Sequence, residues 1–435
     1  MDHLVIQAWV DEVNTNETSS PSKRPPMSEH ADIYPNPDAT QTPLQPQLLR
    51  NDSDGVAFDD TASKMLSLTQ SCSTSPSKRF QNTASLLNLV RPVRFSKERD
   101  PGTVLPDDAQ TLWEALSTVE AKEGILPATL RGHSDFRDAR IRAFMWKPTH
   151  ASDQSGSENN ATLVANHQHL RSIVNDSIAS SNLHRSEAAW NCLVHTPLLR
   201  CAFSRFAFLE VEPISSAQIM PAFRPLSKNG GQVPSQPSSA STSSLSGQGL
   251  GTPQTRANTV ALSVHKMVDF AVVLRPEKAL QNLIDTFLDK QPHTMATINQ
   301  TLYEPLRNRP APIFIETKTS SGNMDTANVQ LGVWVAAWHE RMRSIIALGG
   351  GTDTIITIPV IQVVGSVWTL LFVMDAGAEI RVLDGDFRIG DTNSILGLYQ
   401  LQAAMSAIAV WVKDTFEPWF TALLTGATEH REVPC

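Results

Sequence analysis

Basic residues are in short supply. The 435-residue chain carries 36 Lys and Arg against 44 Asp and Glu, a formal net charge of -8. Proteins that coat nucleic acid without sequence preference take most of their affinity from neutralised phosphates. This balance therefore excludes a generally basic surface and leaves room for a local basic groove only. Cysteine is scarce as well. Cys72, Cys192, Cys201 and Cys435 form no CxxC pair, which excludes a disulfide framework and a thiolate zinc site and favours a reducing compartment. The first residues, Met1-Asp2-His3-Leu4-Val5-Ile6, lack a basic region and a long apolar core, so no secretory signal is expected. One charge-free stretch, Ile355 to Met374, has the length of a spanning helix. Pro359, Gln362, Gly365 and Ser366 interrupt it, and Ile, Val and Thr dominate it. It predicts two strands joined at Gly365-Ser366 rather than a transmembrane segment. The expectation is an intracellular protein, nuclear or cytoplasmic, with no membrane partner; the oligomeric state stays open.

Two segments lack large apolar residues. Within the N-terminal region 1–84, a short apolar patch at 3–10 (Leu4-Val5-Ile6, Trp9-Val10) is compatible with a small helix that docks on the domain; residues 12–84 are rich in Ser, Thr, Pro, Asn and Asp, and residues 227–258 in Ser, Gly, Gln and Pro. Neither buries enough apolar surface to offset chain entropy, so both are expected to be disordered. The pentapeptide Ser-Pro-Ser-Lys-Arg occurs at 20–24 and again at 75–79. It is compatible with proline-directed phosphorylation, but repetition in such a segment is as readily compositional coincidence. Residues 85–425 make one domain with 227–258 as a flexible insertion, and 426–435 form a tail. Leu112, Trp113, Leu116 and Val119 mark a helix over 109–122. Further helices are expected over 161–200, broken near Ser180-Ser181-Asn182, and over 276–303. Strands are expected at 205–212, 263–274 and 312–319. A helix from Asp325 or Thr326 to Leu348 is stopped by Gly349-Gly350-Gly351. Strands at 355–363, 367–375 and 379–384 come next, then helices over 392–413 and 415–424. This order gives an α/β fold with a central mixed β-sheet flanked by helices.

The chemistry concentrates in Ile313-Phe314-Ile315-Glu316-Thr317-Lys318. Three bulky apolar residues predict a strand buried on both faces, and alternation puts Glu316 and Lys318 on the same side. Charges at the end of a buried strand need pairing or a metal. Asp269 interrupts a second apolar run, Lys266 to Leu274. If the two strands are neighbours, two carboxylates and an ammonium share one place.

Asp269 followed by Glu316-Thr317-Lys318 resembles the PD-(D/E)XK nuclease superfamily, and more narrowly the fungal PD-(D/E)XK nuclease-like domain proteins. Glu187-Ala188-Ala189-Trp190-Asn191, Val194-His195, Pro197-Leu198-Leu199, Ala217-Gln218-Ile219 and the helix around Gln330-Leu331-Gly332-Val333-Trp334 belong to the same resemblance. It spans roughly residues 105 to 425. Val268 stands where the motif has its Pro. The resemblance implies a restriction-endonuclease-like core and a metal-dependent nuclease of DNA or RNA. It casts Asp269 and Glu316 as carboxylate ligands of Mg2+ or Mn2+, with the Thr317 carbonyl and Glu187 joining them. Lys318 is cast as the group that orients the attacking water, and Gln330 as a contact to the phosphate.

Bland readings stand beside these. Glu187 is a favourable acid in a first helical turn, Gln330 a polar helix residue, and Glu316 with Lys318 a structural ion pair. The alternative function is a non-catalytic, nuclease-like accessory or interaction protein, such as one tied to a fungal biosynthetic gene cluster.

Overall fold

The computed structural model describes residues 83–137, 140–148, 157–228, 268–351 and 354–429. Most of 1–84, most of 227–258, both Ser-Pro-Ser-Lys-Arg copies and most of the C-terminal tail lie outside them.

Seven strands form one sheet in the order β1-β7-β6-β5-β4-β3-β2. They are β1 (Val93–Ser96), β2 (Leu209–Pro213), β3 (Phe270–Leu274), β4 (Ile313–Lys318), β5 (Ile358–Val364), β6 (Val367–Asp375) and β7 (Ile380–Asp391). The β4–β5 and β1–β7 pairs are parallel and the other four antiparallel. The sheet is thus mixed, as its sequence order predicts.

The longest helices flank it. They are α1 (Asp107–Glu120), α2 (Ser157–Asn182), a composite α3, α4 (Lys278–Asp289), α5 (Met324–Leu348), α6 (Ile395–Trp411) and α7 (Glu417–Glu429). The composite α3 runs through Glu187–Trp190, a π-helical turn Asn191–His195, and Thr196–Phe203. Helix α5 crosses over from β4 to β5, which a parallel pair requires. It is buried through most of its length and rests on β4 and β1. Asn323 caps its first turn by accepting the Asp325 N–H at 2.8 Å, and Gly350 ends it at φ 65°. Helices α1 and α6 pack on each other and on β7. The run Ile395–Glu429 is apolar and long enough to cross a membrane by composition. Its apolar residues are spent on the core instead, with Leu398, Leu401, Met405, Ile408, Phe416 and Phe420 all sealed from solvent.

The charge-free stretch forms the β5–β6 hairpin, turning at Gly365 (φ 56°). Several boundaries differ from those expected. Strand β2 begins at Leu209 rather than 205, and of the helix expected over 276–303 only α4, ending at Asp289, forms before a short 3-10 turn. Strand β7 does not end at Asp384. It passes through Asp384-Gly385-Asp386 and continues to Asp391, because Asp386 takes a left-handed conformation (φ 51°) and its N–H bonds to Asp384 Oδ1. Turn chemistry here makes an irregularity inside a strand rather than its end. Strand β1 was not foreseen; four residues with one buried side chain carry too little pattern. Helix α7 runs to Glu429, past the expected boundary at 425.

Candidate active site

Strands β3 and β4 bring the charged residues together. Their antiparallel register pairs Phe270 with Ile315, and the Asp269 N–H donates to the Ile315 carbonyl at 3.1 Å. Asp269 therefore sits at the mouth of β3 beside the C-terminal half of β4. It is 1% exposed and Glu316 0%. Nothing but a fold that needs them there holds two carboxylates in such a place.

Asp269 Oδ2 accepts the Thr317 backbone N–H at 3.0 Å and lies 2.7 Å from the Thr317 hydroxyl. The same hydroxyl is 2.8 Å from Asn191 Oδ1. It carries one proton, so it donates to one of these acceptors at a time. Thr317 thereby ties β3, β4 and the π-turn of α3 into one unit. Lys318 turns its ammonium back over the strand end. It donates to Glu316 Oε1 in a short contact, to the Thr317 carbonyl at 2.9 Å, and pairs with Glu187 Oε2 at 3.3 Å. The turn after β4 must come close for this. A Cβ at Gly322 would stand 2.7 Å from Lys318 Cβ, so only glycine leaves the lysine its place.

The electrostatics of Glu316 are the most telling feature. Its carboxyl is held well above the usual carboxylate range, first by burial and next by the charge of Asp269; Lys318 pulls the other way and does not win. Glu316 Oε2 is buried and has no hydrogen-bond partner among the described residues. A carboxylate in this position is under-supplied with positive charge. By donor type, two carboxylates and a backbone carbonyl are oxygen ligands of the kind hard divalent cations take; the Thr317 carbonyl here also accepts from Lys318.

Glu187 stands in the first turn of its helix, which Ser186 caps by accepting the Ala189 N–H on its hydroxyl at 3.3 Å. Its carboxylate reaches Lys318. A favourable first-turn position and a contact with the Lys318 ammonium thus coincide in one residue. Gln330 is 8% exposed in the second turn of α5, so it is not a surface residue of that helix. His195 had been singled out only as part of a matching stretch. It is fully buried on the π-turn between Trp190 (5.6 Å, stacked) and Trp368 (5.4 Å, edge-on). Burial drives its pKa down to about 3 against the pull of Asp269, so it is a neutral imidazole. π-Turns are often found at functional sites, and this one carries both Asn191 and His195.

One further group was not visible as a group in the sequence. His133, Asp135 and His167 draw their ligand atoms within 4.8 Å of one another. His133 and Asp135 are near neighbours, but nothing in the spacing to His167 signals the contact.

Comparison with known proteins agrees with this geometry. A family model described as the PD-(D/E)XK nuclease superfamily matches residues 131–417. No curated protein and no solved structure matches the chain. The matched span takes in β2 through β7, with Glu187, Asp269, Glu316 and Lys318 all inside it. An acidic pair and a lysine at the end of a buried strand, in a mixed sheet crossed over by α5, place the chain in the PD-(D/E)XK nuclease superfamily.

Proposed function

We propose that the chain is a metal-dependent nuclease, hydrolysing phosphodiester bonds of DNA or RNA with Mg2+ or Mn2+. The observation that carries this reading is the convergence of Asp269, Glu316 and Lys318 with a buried Glu316 oxygen that no donor among the described residues satisfies. Asp269 and Glu316 hold the ion, and the Thr317 carbonyl offers a third oxygen. Bound by these residues, such an ion would supply charge neutralisation at the phosphate and a more acidic water. Glu187 and Glu316 hold the Lys318 ammonium from two sides. That fixes a positive charge where negative charge develops on the scissile phosphate and orients the attacking water. Thr317 and Asn191 set the Asp269 carboxylate. Gln330, at the head of the following helix, contacts the phosphate.

A second reading has its own support. The net charge of -8 and the closed Lys318–Glu316 pair suit a nuclease-like scaffold without turnover, serving as an accessory protein. A titration of Mg2+ or Mn2+ with labelled single- and double-stranded DNA and RNA separates the two. Metal-dependent cleavage that disappears in Lys318→Ala supports the nuclease. Absence of cleavage on every substrate by the wild-type chain leaves the scaffold.

A further inference from the structure

Outside the Glu316 cluster, three side chains with the chemistry of transition-metal ligands meet at a different place in the fold. His133 precedes a short 3-10 turn, Ser134–Phe136, on which Asp135 lies. His167 comes from the middle of α2. His167 Nε2 is 3.0 Å from Asp135 Oδ2, and His133 Nδ1 is 3.8 Å from the same oxygen. The two rings meet edge to face, 4.5 Å between centroids. Two ligands bound tetrahedrally at zinc, each about 2.0–2.1 Å from the ion, stand about 3.4 Å apart. The two separations to Asp135 bracket that value and all three ligand atoms lie within 4.8 Å of one another; the Asp135 N–H that His133 Nδ1 accepts at 3.3 Å is the bond an ion would replace.

The surroundings are also those of a metal site. His167 Nδ1 is 3.0 Å from the Tyr399 hydroxyl on α6. That contact fixes the ring and leaves Nε2 facing Asp135, the outer-sphere hydrogen bond that metal-bound histidines ordinarily make. Phe136 packs on His167 and on Trp146, walling one side with apolar rings. His167 is nearly sealed, whereas His133 is about one third exposed, so the site opens to solvent on the His133 side. Arg171 is the competing group. Its Nε contacts Asp135 Oδ2 at 3.0 Å, but the side chain is more than half exposed and is free to turn outward.

We infer that His133, Asp135 and His167 form a second metal site, taking Zn2+ or a similar transition metal with a solvent molecule in the fourth position. Two imidazoles and one carboxylate select such ions over Mg2+. The ion ties the irregular segment around Ser134–Phe136 to α2 and, through Tyr399, to α6. The site shares no residue with the Glu316 cluster and does not depend on nuclease activity.

The test is a Co2+ titration of the metal-free full-length chain followed by visible absorption, with Zn2+ competition. One bound Co2+ showing the intense bands of a low-coordinate site, and displaced by Zn2+, is expected. His133→Ala lies at the solvent side and should fold; it should weaken binding by well over about tenfold, and Tyr399→Phe by about tenfold. Glu316→Gln should leave the spectrum unchanged. A thermal melt in chelator checks that each variant folds. Absence of a Co2+ spectrum in the folded wild-type chain overturns the site, and so does a spectrum unchanged in folded His133→Ala.

Discussion

Glu316→Gln should stabilise the metal-free protein while abolishing its metal-dependent chemistry. The Glu316 carboxylate is sealed from solvent, one of its oxygens lacks a donor, and its carboxyl is raised because burial and Asp269 outweigh Lys318. Burying an ion costs several kcal/mol, and Gln, of nearly the same shape, removes that cost without leaving Lys318 uncompensated, because Glu187 still pairs with it. The Gln carbonyl still accepts from Lys318, which also keeps Glu187 and the Thr317 carbonyl. An amide N–H in place of Oε2 offsets about 1 kcal/mol if it finds no acceptor. The net expectation is a gain of about 1–2 kcal/mol, or roughly 1.5–3 °C in Tm for a domain of this size. The sign follows from linkage. A carboxyl raised on folding takes up protons, so wild-type stability falls as pH rises from the unfolded carboxyl value through the folded one. The advantage of the variant should therefore be larger at pH 8 than at pH 5. Denaturant unfolding in chelator at both pH values measures it. A variant less stable than wild type by a similar amount at both would refute the reasoning, because Glu316 would then be a net-stabilising structural partner.

Lys318→Met should have the opposite effect on stability, costing about 3 kcal/mol at pH 8 because Glu316 and Glu187 lose their shared cation. The cost should be smaller at pH 5, because the raised Glu316 carboxyl takes up its proton as pH falls, and urea titrations at the two pH values check it. Thr317→Val removes the hydroxyl between Asp269 and Asn191 and should cost about 1–3 kcal/mol, read by thermal melting. Gly390→Ala should cost about 2–4 kcal/mol in the same measurement. Gly390 has φ 146°, and a Cβ there would lie 2.6 Å from the Gly397 carbonyl.

Much of this fold could be read from pattern alone. The β4 strand, the α5 crossover and the β5–β6 hairpin each announce themselves by long apolar runs with Gly or Asn at their ends. Strand β1 could not be read, because its four residues gain their place by pairing with distant β7. The extension of β7 past Asp386 was hidden for a related reason: the same Asp-Gly-Asp chemistry serves a turn or a bulge, and long-range pairing with β6 decides which. At the site, the Glu316–Lys318 pairing follows from strand alternation. The links that depend on α3, Glu187 to Lys318 and Asn191 to Thr317, bridge 131 and 126 positions and leave no periodic trace. Burial of His195 and the meeting of His133 with His167 are likewise products of packing.

The central claim is that Asp269 and Glu316 hold a divalent cation. Mn2+ calorimetry tests it most directly, carried out on His133→Ala so that the second cluster does not contribute. The account predicts one Mn2+ site in that protein, lost when either Asp269→Asn or Glu316→Gln is added. Folded His133→Ala protein that binds no Mn2+, or that binds it equally well with both carboxylates neutralised, would contradict it.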